Sequence, residues 1–401
     1  MTTNTKGAPV RRLRLGLIVL LAAALAATGC TGGGGDTPSS SPGSGAGSGT
    51  AAGGADRLNL RGVCPSTVVV QTDWFPGPEI GALYQLIGAN GTVGDGRYSG
   101  PLGETGVRLE IRAGGPALGG ETVASTLYGD DSILLGTVQT DDAIRDSLDL
   151  PTVAVAALWD KSPRILMWDP AQLDAADLAG IGRSTARVVY AEGSDDVDVL
   201  VGKGLLRREQ LDPSFDGSPV AFTTEEGVAQ ESLITGDPYT YERELAEWRK
   251  PVKFALVDDS GFRPYPSLVV RADKLEAAAA CLEKLVPLVQ QATVDYLADP
   301  AQVNAKLPGI SRQFADFRPV SAAAAADAVA KLRAHQIASN GTNDTVGDFD
   351  EARVGTVIAD AVPAFKAAEP EPGVETIKSG LSPADLVTNR FVDEGIRLPA
   401  P

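Results

Sequence analysis

The chain has a single histidine, His335, and three cysteines, Cys30, Cys64 and Cys281, in 401 residues. That scarcity bears first on chemistry. Hydrolytic triads and catalytic metal centres draw on His and Cys, and no two cysteines here stand close in sequence as a zinc site needs. His335 falls in a stretch that reads as a surface helix. No metal, cofactor or catalytic residue is expected. The many acids leave room for a two-carboxylate hydrolase, but no pair is singled out. Positive charge is also short, with 35 Lys and Arg against 52 Asp and Glu and a formal net charge of −17. Such an acidic body argues against nucleic acid and against a basic grip on anionic lipid.

The N-terminus follows a different pattern. Arg11, Arg12 and Arg14 form a basic start, overlapped by an apolar run from Leu13 to Thr28. A membrane span takes roughly 20 such residues, so this run is short. It ends in "LAATGC", small residues followed by Cys30. That order is a secretory signal and resembles a bacterial lipobox, with Ala27 where the motif usually has Leu. The resemblance implies a signal peptide over 1–29, a lipid on Cys30, and a place on the outer face of a bacterial cell membrane. A plain signal cut nearby, or an uncleaved anchor, is the alternative. Residues 30–56 are nearly all Gly, Ser, Ala, Thr and Pro and read as a flexible tether. With Cys30 given to lipid, Cys64 and Cys281 remain. An even pair in an exported body permits one disulfide closing a very long loop; two separate buried thiols are the alternative.

The body from about residue 57 onward exceeds the usual single core, so two lobes are expected. "STVVVQTD", "GVRLEIRAGG", "SILLGTVQT" and "PTVAVAALWD" read as strands. Helices starting near Pro78, in "GETVASTLYG" and in "DDAIRDSLDL" (capped by Thr140 or Asp141) separate them. The alternation predicts a parallel sheet flanked by helices, with ligands at its carboxyl edge. A second unit follows. "SPRILMWD", "ARVVYAEGS", "SPVAFTT" and "VKFALVDDSG" read as strands. "PAQLDAADLAG", the segment after a Ser194 cap, and "EEGVAQESLITG" read as helices. Past the strand in "FRPYPSLVVRADK" the chain reads as helical, including "SPADLVTNRFVDEGI". "SNGTNDTVGDFDE" reads as a solvated loop, without the spacing of an EF-hand.

Taken in order, "DWFPGPEIGALY", "EIRAGGP", "GTVQTDDAI" and "VVYAEGSDDVDVLVGKGLLRREQLDPS" resemble the extracytoplasmic solute-binding proteins of ABC importers. The group resembled handles thiamine pyrimidines, sulfonates, nitrate and related small solutes. The resemblance covers most of Thr67 to about Lys274 and rests on the ordered series rather than on any one motif. It implies a two-lobed periplasmic-binding-protein fold of the type II kind, with two crossing segments and a ligand cleft between the lobes. By analogy lobe one is 57–158 with 268–401, and lobe two is 159–267. The implied function is capture of a small solute by hinge closure for a permease and an ATPase, by a monomer that is not an enzyme. A surface receptor or sensor on the same fold is the alternative, and a pyrimidine-forming enzyme a more remote one. Those enzymes use a histidine and a cysteine cluster that this chain lacks. Pyrimidine binders commonly carry W-x-P-N and then a histidine. Trp74 and Pro76 are kept, but Gly77 and Ile80 stand in the Asn and His places, so the pyrimidine is not carried over.

Candidate ligand residues sit at the strand ends. Trp74, beside a Pro-Gly-Pro turn, offers a rigid face for stacking, and Asp73 an acceptor. Gly114 and Gly115 allow close backbone approach. Gln139 and Thr140 offer neutral hydrogen bonds, and Trp159 a wall at the first crossing. From the second lobe, Tyr190, Glu192, Ser194, Tyr239 and Tyr241 are the candidates. Asp195 and Asp196 beside Glu192 would repel a sulfonate or phosphate, which favours a neutral or cationic aromatic or heterocyclic solute.

Overall fold

A computed structural model describes residues 58–94, 96–314, 319–368 and 375–399. The signal segment, Cys30 and the tether lie outside the described residues. The first seven-stranded sheet is built mainly before the first crossing. Its strands are β1 (Thr67–Gln71), β2 (Thr92–Gly94), β3 (Arg97–Pro101), β4 (Arg108–Arg112), β5 (Leu135–Gln139) and β6 (Thr152–Ala157). The five-stranded sheet uses β7 (Arg164–Trp168), β8 (Arg187–Val189), β9 (Leu211–Asp212), β10 (Val228–Leu233) and β11 (Lys253–Leu256). The chain then returns, and β12 (Pro266–Arg271) completes the first sheet. The orders are β2-β3-β4-β1-β5-β12-β6 and β11-β7-β10-β8-β9.

The first sheet is mixed rather than parallel. β4, β1 and β5 run parallel, but β12 lies antiparallel between β5 and β6. The reason is connectivity. The returning chain enters beside the carboxyl end of β5, where Pro266 pairs with Gln139, so it can only run the other way. A hairpin that the sequence reading passed over, β2–β3, extends the opposite edge.

Two assignments in the second lobe are exchanged. Val220–Thr224 is a helical turn, and β10 occupies the stretch read as a helix. Ala229, Gln230 and Glu231 favour helix in isolation. Here they form a buried strand hydrogen-bonded to β7 on one side and β8 on the other, and that packing overrides propensity. "PAQLDAADLAG" is mostly turn, with a helix only at Leu178–Arg183. The last predicted helix shrinks to Pro383–Leu386. Beyond it Val387 makes a bridge to Ala154 of β6, and Thr388 N–H donates to the Ala154 carbonyl at 2.9 Å. The caps also differ. Ser194 does not cap the helix Asp196–Gly202 but donates to Glu231, and neither Thr140 nor Asp141 caps the helix Thr140–Arg145, whose N-cap is Gln139.

The long helix Leu275–Ala298 buries Leu282, Leu285, Val286 and Val289 against the helix Gly81–Ile87 and the sheet. Each such side chain contributes about 1.5–3 kcal/mol. Cys281 in this helix is disulfide-bonded to Cys64, ahead of β1. None of the described helices is long and apolar enough to cross a membrane.

Candidate functional site

The carboxyl end of β1 is held by its neighbours' backbone. Gly114 N–H donates to the Trp74 carbonyl at 3.0 Å and Gly115 N–H to that of Asp73 at 2.9 Å. A Cβ on Gly114 would lie 1.9 Å from the Thr72 carbonyl oxygen, and Gly115 has φ +61°, so glycine is required at both. Thr137 Oγ1, from β5, donates to Asp73 Oδ1 at 2.6 Å and accepts from Asp73 N–H at 2.8 Å. Asp73 and Trp74 are thereby fixed at the sheet's edge, with Trp74 edge-on to Phe75 at 5.4 Å.

A cavity of about 510 Å³ opens there, between the two sheets. Asp73, Trp74, Gly115, Gln139 and Trp159 line one side, and Glu192 and Ser194 come from the other. Five predicted residues lie off it. Gly114 packs against the backbone of Thr72 and Asp73. The Thr140 hydroxyl accepts from Tyr265 N–H at 3.0 Å, tying it to the return crossing. Tyr190 has both backbone groups bonded within the second lobe, to Asp212 and Phe215. Tyr241 is core: its hydroxyl accepts from Gln230 at 2.9 Å and its ring packs edge-on to Phe222 at 5.0 Å. Tyr239, half-buried at the end of the short helix Asp237–Tyr239, does not reach the wall. Trp159 does, though its ring N–H is taken by the Glu79 carbonyl at 2.8 Å.

The sequence reading missed Asp142, Arg145, Arg164, Phe215 and Glu231, all on the wall. Arg164 carried a signal, a charged residue opening an apolar strand directly after Pro163. Glu231 was hidden inside a segment taken for helix. Arg164 is the hub. Its guanidinium lies 3.3 Å from Asp196, 3.8 Å from Asp141 and 3.9 Å from Glu231. The Gln139 amide group lies 3.1 Å from Ser162 Oγ, and its neighbours require the oxygen to be the atom facing Arg164, where it accepts from Nε at 2.7 Å while the nitrogen donates to Ser162 Oγ. The opposite orientation would set the amide nitrogen against a guanidinium that cannot accept.

Charge in this cluster is unbalanced. Burial pushes the Asp73 carboxyl up, and burial and then the Asp141 charge push Asp142 well up. Burial raises Asp141 to about 6 against the pull of Arg164, and raises Glu231 as well. Burial works against the Arg164 charge, but Asp196, Asp142, Asp141 and Glu231 outweigh it and hold its pKa well above the usual value. The two sheets are also bridged directly. Arg145, lying over the Phe365 ring at 4.1 Å, pairs with Asp195 and with Asp198 at 2.9 Å. Thr235 Oγ1 meets Glu79 Oε2 at 3.3 Å.

The two crossings touch where Ser162 N–H donates to Asp258 Oδ1 at 3.3 Å. Burial pushes Asp258 up to about 7, against Arg353, Arg263 and Lys161. A carboxyl raised on folding stabilises most below its unfolded pKa, and that contribution is lost as pH rises through the folded value. Asp258→Asn is therefore expected to gain on the order of 2 kcal/mol at pH 8 and nothing near pH 4. Paired melts at pH 5 and pH 8 check this; an equal change at both pH values contradicts it.

No family model matches the chain, and no curated protein matches it. Solved structures do. The periplasmic aliphatic sulphonate binding protein SsuA from Escherichia coli is 14% identical, with a TM-score of 0.50 over 84% of this chain and 93% of that one. The periplasmic nitrate-binding protein NrtA from Synechocystis PCC 6803 is 10% identical, with a TM-score of 0.51 over 81% and 87%. A Candida albicans protein described as having the generic periplasmic binding protein structural fold is 12% identical, with a TM-score of 0.50 over 82% and 98%. The class is thereby defined by fold: a two-lobed α/β periplasmic-binding-protein fold with the cleft between the lobes.

Proposed function

We propose that this chain is the extracytoplasmic solute-binding component of an ABC import system, capturing a small organic solute between its lobes. The observation that carries the reading is the cavity of about 510 Å³ between two sheets joined by two crossings, at residues 158–163 and 257–265. Its size suits a small ligand, and a cleft between domains is where such sites usually lie. The lobes would be 57–158 with 268–401, and 159–267, closing about the crossings. A lipid on Cys30 and the 30–56 tether would hold the monomer at the outer face of the membrane, beside its permease and ATPase. The Cys64–Cys281 disulfide supports an oxidising compartment. No catalytic role is assigned. Trp74 and Trp159 favour a solute with a flat, neutral or cationic frame. Trp74→Ala is expected to weaken binding of the captured solute by about 2 kcal/mol, roughly 30-fold. Calorimetry with a solute recovered from the purified protein tests this; affinity indifferent to Trp74 would remove the stacking role.

A further inference from the structure

We infer that the cleft takes an organic cation, a solute bearing a protonated amine, amidine or guanidine, with Asp142 as its counter-ion. The inference rests on the solute-binding reading above and narrows it to one chemical class. Among the described residues, ten Asp and Glu side chains line the cavity with two guanidinium groups and no lysine or histidine. Both guanidinium groups are engaged. Arg164 is shared among Asp196, Asp141 and Glu231, and Arg145 holds Asp195 and Asp198. An anion entering this cleft would find no uncommitted cation among the described residues.

Asp142 has the opposite need. Asp142 is half-buried on the cavity wall; its Oδ1 is enclosed by protein and accepts no hydrogen bond, so the carboxylate meets the cavity through Oδ2. A carboxylate with one oxygen enclosed and unpartnered is costly, and an ammonium or guanidinium N–H reaching Oδ2 from the cavity would offset its charge with a charge-assisted bond. Its surroundings do so only in part, through the charge of Arg164. Asp141 and Arg145 share its helix, Asp73 faces it from the end of β1, and Asp195 from the helix Asp196–Gly202. Arg164 of β7 is already divided among other acids, and Glu231 of β10 adds a further negative charge to that cluster. Trp74 supplies a ring face for the cation or its frame. Glu121, Asp146 and Glu192 also line the cavity and would raise the local concentration of cations. An organic cation fits better than a metal ion, because among the described residues no three His, Cys, Asp or Glu side chains are poised to hold one.

Binding should then be linked to protons. Asp142 and its neighbours are biased toward the protonated form by burial and mutual repulsion, and a cation stabilises the ionised form. Protons leave as the solute enters, and affinity rises with pH until the site is fully ionised.

The test is calorimetry on the full chain in detergent at pH 5.5 and pH 8. The probes are spermidine, agmatine and benzamidine as cations, ethanesulfonate and nitrate as anions, and cytosine as a neutral ring. At least one cation is expected to bind, at least tenfold more tightly at pH 8, with proton release read from buffers of different ionisation heat. Asp142→Asn should weaken that cation at least tenfold at pH 8 and flatten its pH dependence, while the unliganded melting temperature holds or rises. Binding of an anion or of cytosine with no cation would overturn the inference and leave solute binding standing. Cation binding indifferent to Asp142→Asn, in a protein that still melts normally, would overturn the role of Asp142. If none of the six binds and no small molecule is released on denaturing the purified protein, the solute-binding reading itself falls.

Discussion

Replacing Arg164 with methionine is expected to destabilise the protein by about 3–5 kcal/mol at pH 8, a fall of roughly 5 °C in Tm for a body of this size. The guanidinium, 13% exposed, is the charge around which Asp141, Asp196 and Glu231 are arranged. Methionine fills similar volume but leaves those carboxylates facing one another in a poorly solvated place. The sign of the pH dependence identifies the cause. Asp141 and Glu231 are already biased toward protonation by burial, so at pH 5 they can take up protons and the deficit should shrink. Arg164→Lys keeps the charge but loses the fork that reaches Gln139 and several acids together, and should fall between the two. Differential scanning calorimetry at the two pH values decides it. A methionine variant as stable as the parent at pH 8 would mean that water, rather than Arg164, neutralises the cluster.

Removing the Cys64–Cys281 bridge is the other large effect. The two residues are 217 apart in sequence, and cross-linking so long a loop restricts the unfolded chain by on the order of 5 kcal/mol in the chain-entropy description. The double variant Cys64→Ala, Cys281→Ala should therefore melt roughly 7 °C lower. Reducing agent should lower the parent by a similar amount and leave the variant unmoved. The loss should not spread to the cleft, because Cys281 lies in the helix Leu275–Ala298 and Cys64 precedes β1, both away from the cavity wall. A double variant that melts with the parent would show that the unfolded chain already keeps these segments together.

Most of the first lobe was legible because its strands are short β-branched runs bounded by Pro and Gly. β1, β4, β5 and β6 each carry their own signal. Trp74, Asp73 and Gln139 followed from that reading, since a residue just past a strand's carboxyl end lies at the edge where clefts form. The tyrosines did not follow. Tyr239 and Tyr241 stand two apart in sequence, yet Tyr241 turns inward to Gln230 and Phe222, and local spacing carries no information about which face a lobe buries.

By itself, the sequence determined what the chain is short of and what it has in excess. It has one histidine, acids out of proportion to bases, and strands and helices alternating through two units. These are properties of composition and local pattern, and no packing is needed to express them. Tertiary structure alone decided where the excess acid went. β10 became a strand because two neighbours required its hydrogen bonds, and that brought Glu231 to the cleft. β12 ran backwards because the chain re-entered at the carboxyl end of β5. Residues far apart in the chain, Asp73, Asp142, Arg164, Asp195 and Glu231, were thereby gathered around one cavity. Their shared electrostatics depends on distances through space, which no window along the sequence contains.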